Sequence, residues 1–341
     1  MTNDPLLTSS YEYHLPDGLI ATHPVHPRDH AKLLVYNRKD RSITHTRFDR
    51  LNDFLPKECA IIFNDTKVIK ARLYGKKESG GAVELLINRP LNAYTISVYI
   101  KGRVKSGTVL YFEQDVKATI TLLHDDGSRE VTFSLGDAPL RFEELLTLLD
   151  KIGHIPLPPY LGREDDAQDE REYQSVFAVH EGAVAAPTAS LHFTDELFNL
   201  LCQQHKHAFV TLHVGSGTFK PVECTTITDH PIHSEYFEIS DTSLSLIQSS
   251  VPLLSIGTTS TRTVEYHIRT GESRGEANLF LHPHNPPLRV NHLLTNFHLP
   301  QSTLLMLVAS FVGLEETHRI YQEAIDEKYR FFSYGDAMLI L

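Results

Sequence analysis

Between Ala185 and Glu235 the sequence crowds together side chains that can accept, donate or hold a proton near neutral pH. The segment Ala185-Ala-Pro-Thr-Ala-Ser-Leu-His-Phe-Thr194 contains Thr188, His192 and Phe193. Thr211-Leu-His-Val-Gly-Ser-Gly-Thr-Phe219 contains His213, and Asp229-His-Pro-Ile-His-Ser-Glu235 contains His233 and Glu235. Neutral imidazole suits general acid or base work at pH 7 because its ordinary pKa lies near the operating pH. Gly215 and Gly217 let backbone approach a ligand closely, with Thr218 beside them. A dinucleotide-binding reading of Gly215-Ser-Gly217 fails on context, since Lys220-Pro221 follows in place of a helix and a third glycine is missing. His230, His233 and Glu235 have the atoms to ligate zinc, but Pro231 opposes the helix that usually presents such a pair, and no Cys pair supports it. No metal is expected. The competing reading of each single histidine is a hydrogen-bonded structural residue.

Three further constellations lie downstream. Ile256-Gly-Thr-Thr-Ser-Thr-Arg262 reads as a buried strand ending in glycine, then hydroxyl residues opening a helix whose free N–H groups can hold a carboxylate or phosphate. Thr258, Thr259 and Arg262 are its candidate ligand contacts, and plain N-capping by Ser or Thr is the competing reading. Leu294-Thr-Asn-Phe-His-Leu-Pro-Gln-Ser-Thr303 runs a strand into Asn296 and His298, then a helix capped at Ser302. Tyr329-Arg-Phe-Phe-Ser-Tyr-Gly-Asp336 surrounds Arg330 and Asp336 with aromatics that suit a core.

The elements that must position these residues come in two textures. Residues 32–48 read as a hairpin and Cys59-Ala-Ile-Ile-Phe63 as a short buried strand. From about Val68 to Leu135, strand-like segments at 82–87, 94–100, 108–112, 116–123 and 130–133 alternate with glycine-marked turns, the pattern of a small barrel or sandwich. After Pro156-Leu-Pro-Pro159 the spacing predicts helices over 195–204, 260–269, 303–312 and 316–329. Strands are predicted over 209–214, 253–256, 277–281, 293–297 and 337–341. The architecture expected is an α/β main domain formed from both chain ends, residues 1–69 and 152–341, with a small antiparallel β-barrel inserted at 70–151.

Composition bounds the partners. The 341 residues carry 43 Asp and Glu against 32 Lys and Arg, a net charge of −11, with 20 histidines in reserve. Three cysteines without a Cys-x-x-Cys pair suit a reducing cytoplasm. The N-terminus lacks the basic and apolar regions of a signal peptide, and the longest apolar stretch, Leu304 to Phe311, is far shorter than a membrane span. Bulk acidity argues against nucleic acid, yet the charge is uneven. Lys67, Lys70, Arg72, Lys76 and Lys77 stand against Asp65 alone between Asn64 and Lys77, and Lys101, Arg103 and Lys105 follow. The acidic run Glu164 to Glu172 reads as a solvated loop, which together with the basic stretches predicts a two-faced surface.

Taken in order, these segments resemble one family, the S-adenosylmethionine:tRNA ribosyltransferase-isomerases of queuosine biosynthesis. The likeness is carried nearly end to end by Tyr13-His-Leu-Pro16, Phe63-Asn-Asp-Thr-Lys-Val68, Ala71-Arg-Leu73, Ile155-Pro-Leu-Pro-Pro-Tyr160 and Ala185-Ala-Pro-Thr188. It continues through Leu191-His-Phe-Thr194, Thr211-Leu-His-Val-Gly215, His233-Ser-Glu235, Gly257-Thr-Thr259, Thr295-Asn-Phe-His-Leu-Pro300 and Tyr329-Arg-Phe331. Ser190 departs from the pattern, standing where the family usually has glycine. The resemblance implies an α/β domain with an inserted barrel. It also implies transfer and isomerisation of the ribosyl group of S-adenosylmethionine onto 7-aminomethyl-7-deazaguanine at the tRNA wobble position, giving epoxyqueuosine with release of adenine and methionine.

On that reading His192, His213, His233 and Glu235 surround the ribose, with His213 or His233 moving the proton. Thr188, Phe193, Gly215, Gly217, Thr218, Thr258, Thr259, Arg262, Asn296, His298, Arg330 and Asp336 contact substrate. Lys67, Lys70, Arg72, Lys101, Arg103 and Lys105 track tRNA phosphates, and Phe193 or Phe331 flanks an extruded base. No cofactor is expected, because S-adenosylmethionine is consumed. A cytoplasmic monomer that meets tRNA and no membrane is expected. The rival readings are a tRNA-binding paralogue with altered chemistry and a His-rich metal-dependent hydrolase.

Overall fold

The apolar run ending at Phe63 becomes the strand Ala60–Asn64, buried at every residue, near the middle of a nine-stranded mixed sheet. A computed structural model describes residues 4–215, 217 and 222–341. In spatial order the strands of this sheet are Arg274–Ala277, Glu235–Ile239, His207–Leu212, Ala60–Asn64, Leu253–Ile256, His292–Asn296, Ala337–Ile340, Lys32–Asn37 and Ser42–Arg47. The four from His207–Leu212 to His292–Asn296 are mutually parallel. Such strands, covered on both faces, carry continuous apolar runs rather than alternation. From Ala60–Asn64 the next of the four in the chain lies on one side, and the following two lie on the other. That reversal is where α/β sheets bind ligands, at the carboxyl ends of the strands.

The two antiparallel neighbours add their own ends to this edge. Leu212 pairs with Phe237, which brings Glu235 beside the end of His207–Leu212. Asn296 pairs with Ala337, which brings Asp336 to the same edge. One face of the sheet packs a core in which Phe63 meets Phe177, Phe193, Phe198 and Phe209 at ring-centroid distances of 4.9 to 5.8 Å.

The chain divides into two compact units. The first, residues 1–66, 174–180 and 186–341, contains the large sheet. The second comprises 67–173 and 181–185. The expected insert at 70–151 lies inside it, and the unit continues beyond that range to Tyr173. Its strands Arg72–Lys77, Ala82–Pro90, Thr95–Lys101, Ser128–Leu135, Val116–Leu123 and Val109–Tyr111 pair in that order. The last returns to the first, closing a six-stranded antiparallel barrel. Closure leaves no free sheet edge among them. Inside it Leu73, Leu85, Val98, Leu110, Ala118 and Val131 are buried, and the helix Phe142–Ile152 adds Leu145 and Leu149 to the same core.

Several elements differ from the sequence reading. The helix expected from Ser260 starts at Gly257, whose φ of +84° makes the strand-to-helix turn. The strand expected over 277–281 lies at Arg274–Ala277, and Glu235–Ile239 and the helix Asp241–Ile247 were not foreseen. The acidic run is solvated only in part: Glu164, Asp166 and Glu170 are exposed, but Asp169 and Glu172 are buried. Asp169 is fully buried and takes both guanidinium nitrogens of Arg163 at 2.6 and 2.7 Å, and Asp165 accepts from the Ile155 N–H at 2.9 Å. Asp165 and Asp169 thus tie the segment down from within, while its exposed acids face solvent.

Candidate active site

Five of the sequence candidates meet around one buried carboxylate. Glu235 is 3% exposed, and its Oε2 accepts from Arg262 Nη1 at 2.5 Å. Oε1 accepts from the Gly215 N–H at 3.0 Å and lies 3.4 Å from His233 Nε2. Burial alone would raise the Glu235 pKa, but the Arg262 charge and the His233 contact outweigh it and hold it at about 2. Gly217 packs against the His233 ring so closely that a Cβ there would sit 2.7 Å from the ring carbon Cγ. The glycine therefore serves close packing on a histidine. Thr218 lies outside the described residues.

Arg262 does not play the expected part. Its Nη2 also donates to the carbonyls of His233 at 3.2 Å and Ala277 at 3.1 Å. A guanidinium only 7% exposed and paired with Glu235 organises this cluster through its two terminal nitrogens, while its buried Nε has no partner among the described residues. The plain capping reading of the 257–270 helix also falls. Ile256 is the N-cap without a side-chain bond, while Ser260, Thr261 and Thr263 donate to the carbonyls of Ile256, Gly257 and Thr259. Thr258 and Thr259 are mostly buried in the first turn.

The next strand end along the edge carries residues that the sequence reading passed over. Asn64 Nδ2 donates to the Leu212 carbonyl at 3.0 Å and to Thr259 Oγ1 at 3.1 Å, while its Oδ1 accepts from the Leu212 N–H at 3.0 Å. Asp65 accepts from Thr211 Oγ1 at 2.6 Å and lies 3.7 Å from His180 Nε2. Thr66 Oγ1 lies 2.8 Å from His213 Nδ1, and Tyr236 stacks on that ring with 5.8 Å between centroids. Burial, with His180 nearby, lowers the His213 pKa to about 4. The available signal was the polar run Asn64-Asp-Thr66 directly after a fully apolar strand.

A third group closes the far side of the same edge. His192 Nε2 lies 3.0 Å from Asn296 Oδ1, and Asn296 Nδ2 donates to the carbonyls of Phe332 and Ser333 at 2.8 and 3.1 Å. Complete burial keeps His192 neutral, with a pKa of about 4. Asp336 accepts from the backbone N–H groups of Lys32 and Arg330 at 2.9 and 2.7 Å, so Arg330 and Asp336 brace a loop. His298 turns away, buried against its own segment with Nε2 2.9 Å from Thr295 Oγ1. Thr188 opens the short 3-10 helix Thr188–His192, in which Ser190 is fully buried with its hydroxyl unpartnered among the described residues.

Phe193 and Phe331 are corrections. Both are 0% exposed, Phe193 among Phe48, Phe63 and Phe177 and Phe331 against Phe297, so neither offers a face to an extruded base. Three of the proposed tRNA cations are also occupied. Lys67 pairs with Glu181 at 2.8 Å, and Lys70 with Glu170 at 2.6 Å. Arg72 lies 3.1 Å from Glu84 and donates to the Leu157 carbonyl at 2.9 Å. Lys101, 87% exposed and 3.9 Å from Glu84, remains with exposed Arg103 and Lys105. Among the described residues no cluster of three or more His, Cys, Asp or Glu side chains is arranged to hold a metal ion, and no helix is long and apolar enough to cross a membrane.

A mixed α/β sheet with its polar groups along one edge, together with a separate closed barrel, defines the class, and the family profile described as "Queuosine biosynthesis protein" matches residues 8–340. The chain belongs to that family. It is 62% identical, over the full length of both chains, to the S-adenosylmethionine:tRNA ribosyltransferase-isomerase of Sulfurimonas denitrificans. It is 59% identical to the protein of the same name from Nitratiruptor sp., over 99% of each. The crystal structure of S-adenosylmethionine tRNA ribosyltransferase from Thermotoga maritima superimposes with a TM-score of 0.54 at 31% identity, covering 97% of this chain and all of that one.

Proposed function

We propose that the chain is an S-adenosylmethionine:tRNA ribosyltransferase-isomerase. It transfers the ribosyl group of the donor to the aminomethyl group of a 7-deazaguanine at the tRNA wobble position, isomerising it to the epoxycyclopentane of epoxyqueuosine and releasing adenine and methionine. Family membership along the whole chain supports the reaction. The observation that supports the location is the gathering of His213, His233, Glu235, Asn64 and Thr258 at one sheet edge, with the Glu235 carboxylate kept ionised inside the protein.

The chemistry needs a proton taken from the carbon beside the sulfonium, assistance to the departing adenine, and a cationic donor held in place. His213 and His233 are the proton carriers. The ionised Glu235 lies beside His233 and sets a negative charge where a sulfonium is favoured, although Arg262 neutralises much of it. S-adenosylmethionine is a consumed substrate and no cofactor is needed. Lys101, Arg103 and Lys105 on the barrel unit track tRNA phosphates by charge alone. The setting is the cytoplasm and the working form is a monomer.

Adenine release is the test. Incubation with S-adenosylmethionine and precursor-bearing tRNA should liberate adenine in proportion to tRNA, and tRNA lacking the precursor should liberate none. Adenine release that ignores the tRNA would overturn the assignment.

A further inference from the structure

The Thr66 hydroxyl is fully buried, and among the described residues its only hydrogen-bond partner is His213 Nδ1, at 2.8 Å. No described carbonyl or carboxylate accepts from Thr66 Oγ1. A buried hydroxyl proton needs an acceptor, and among the described residues the one atom in reach that can serve is a bare Nδ1. In a neutral imidazole one nitrogen carries the proton and the other does not, so the proton of His213 sits on Nε2. The ring is held in place by the Tyr236 stack, and the titratable groups facing it are His180 and Glu238. Burial keeps the ring neutral at pH 7.

We propose that Thr66 is a positioning residue that fixes His213 as the Nε2–H tautomer, so that His213 meets its substrate as a hydrogen-bond donor. This rests on the ribosyltransferase reading for the identity of the substrate, and it narrows the two proton carriers to one. A neutral imidazole already protonated at its outward nitrogen cannot abstract a proton there. It can donate to a developing charge, such as the nitrogen of a departing purine or a ribose oxygen. The base that remains is His233, whose ring faces the Glu235 carboxylate.

The buried His192 reaches the same tautomer by the opposite device, an acceptor at Nε2 in place of a donor at Nδ1. Asn296 turns both amide hydrogens to the carbonyls of Phe332 and Ser333, which leaves its Oδ1 to accept from His192 Nε2–H. The fold thus sets both histidines in the Nε2–H tautomer, His213 through a donor at Nδ1 and His192 through an acceptor at Nε2. Thr66 belongs to the site through His213, although it lies inside a strand and touches no solvent.

Histidine-selective 15N labelling and long-range 15N–1H correlation spectra read the tautomer directly, with the His213 signals assigned by their loss in His213→Gln. Between pH 6 and 8 the free protein should show His213 as Nε2–H, Thr66→Ser should keep that state, and Thr66→Val should lose it. An Nδ1–H tautomer in the unaltered protein would overturn the proposal, whatever the activity. A second arm uses turnover. Glutamine places an amide N–H near the Nε2 position and asparagine near Nδ1, so His213→Gln should retain at least tenfold more kcat/KM than His213→Asn. Equal losses in the two variants would remove the donor role. Absence of adenine release in the unaltered protein would instead strike the ribosyltransferase reading and leave the tautomer result standing.

Discussion

Replacing Arg262 with methionine keeps the bulk of the side chain and leaves Glu235 buried without its counter-charge. In the native protein burial works to raise the Glu235 pKa, and Arg262 does most to hold it at about 2 against an ordinary 4.5. At about 1.36 kcal/mol per pKa unit, that depression is worth roughly 3 kcal/mol. The contribution is fully present above pH 4.5 and is lost as pH falls from 4.5 toward 2. Removing one partner of a buried pair costs about 3 to 5 kcal/mol, which for a domain of this size lowers Tm by roughly 6 to 20 °C.

The sign of the pH dependence supplies the sharper test. Without Arg262, burial dominates, the Glu235 pKa rises above 4.5, and the variant gains stability relative to the native protein as pH falls through the raised value. Urea unfolding across pH 4 to 8 should therefore show the gap between Arg262→Met and the native protein narrowing toward acid. The double variant Glu235→Gln/Arg262→Met should recover at least half of the loss at pH 7. Both variants lack the donors to the His233 and Ala277 carbonyls, so the difference between them reports the buried charge. A single variant within about 1 kcal/mol of native at pH 7, or a double variant no better than the single, would refute the reasoning.

Three other outcomes follow from the geometry. Asn296→Leu removes the acceptor facing His192 Nε2 and the amide donor to the carbonyls of Phe332 and Ser333, so it should lower stability by about 2 to 4 kcal/mol and lower kcat more than it raises donor KM, read by denaturation and initial rates. Phe193→Ala should cost about 3 to 5 kcal/mol as a core cavity while leaving tRNA affinity unchanged, since the ring is wholly enclosed; a selective loss of tRNA binding would restore it as a base contact. Alanine at Lys101, Arg103 and Lys105 together should flatten the salt dependence of tRNA binding by about 2 in log–log slope, whereas Arg72→Ala should destabilise the barrel unit by breaking its contacts with Glu84 and Leu157.

The fold was legible where local pattern decides it. Glycine-punctuated short strands gave the barrel, and the uniform apolar run at 59–63 gave a central parallel strand. Elements whose residues also looked functional were hidden. Glu235-Tyr-Phe-Glu-Ile239 alternates as an edge-side strand should, but its first residue drew attention as chemistry. The site was legible as a set of residue types and not as a set of roles, because roles depend on pairings far apart in the chain. Arg262 reads as an anion holder until Glu235 is placed 2.5 Å away, 27 residues upstream. Phe193 reads as a stacking platform until the sheet closes over it. The acidic run reads as solvated until Arg163 is found folded back on Asp169. Thr66 was legible as part of the polar run Asn64-Asp-Thr66 but its role was not, since only the fold brings a threonine beside a histidine 147 positions away.

The most direct test of ribosyl transfer follows the atoms. S-adenosylmethionine carrying 13C throughout its ribose is incubated with the protein and precursor-bearing tRNA, and the digested wobble nucleoside is weighed by mass spectrometry. The account predicts that every ribosyl carbon label appears in the modified nucleoside, with unlabelled adenine and methionine released in equal amounts. A nucleoside labelled only when the donor's methyl group carries 13C, or one that gains no mass at all, would contradict it.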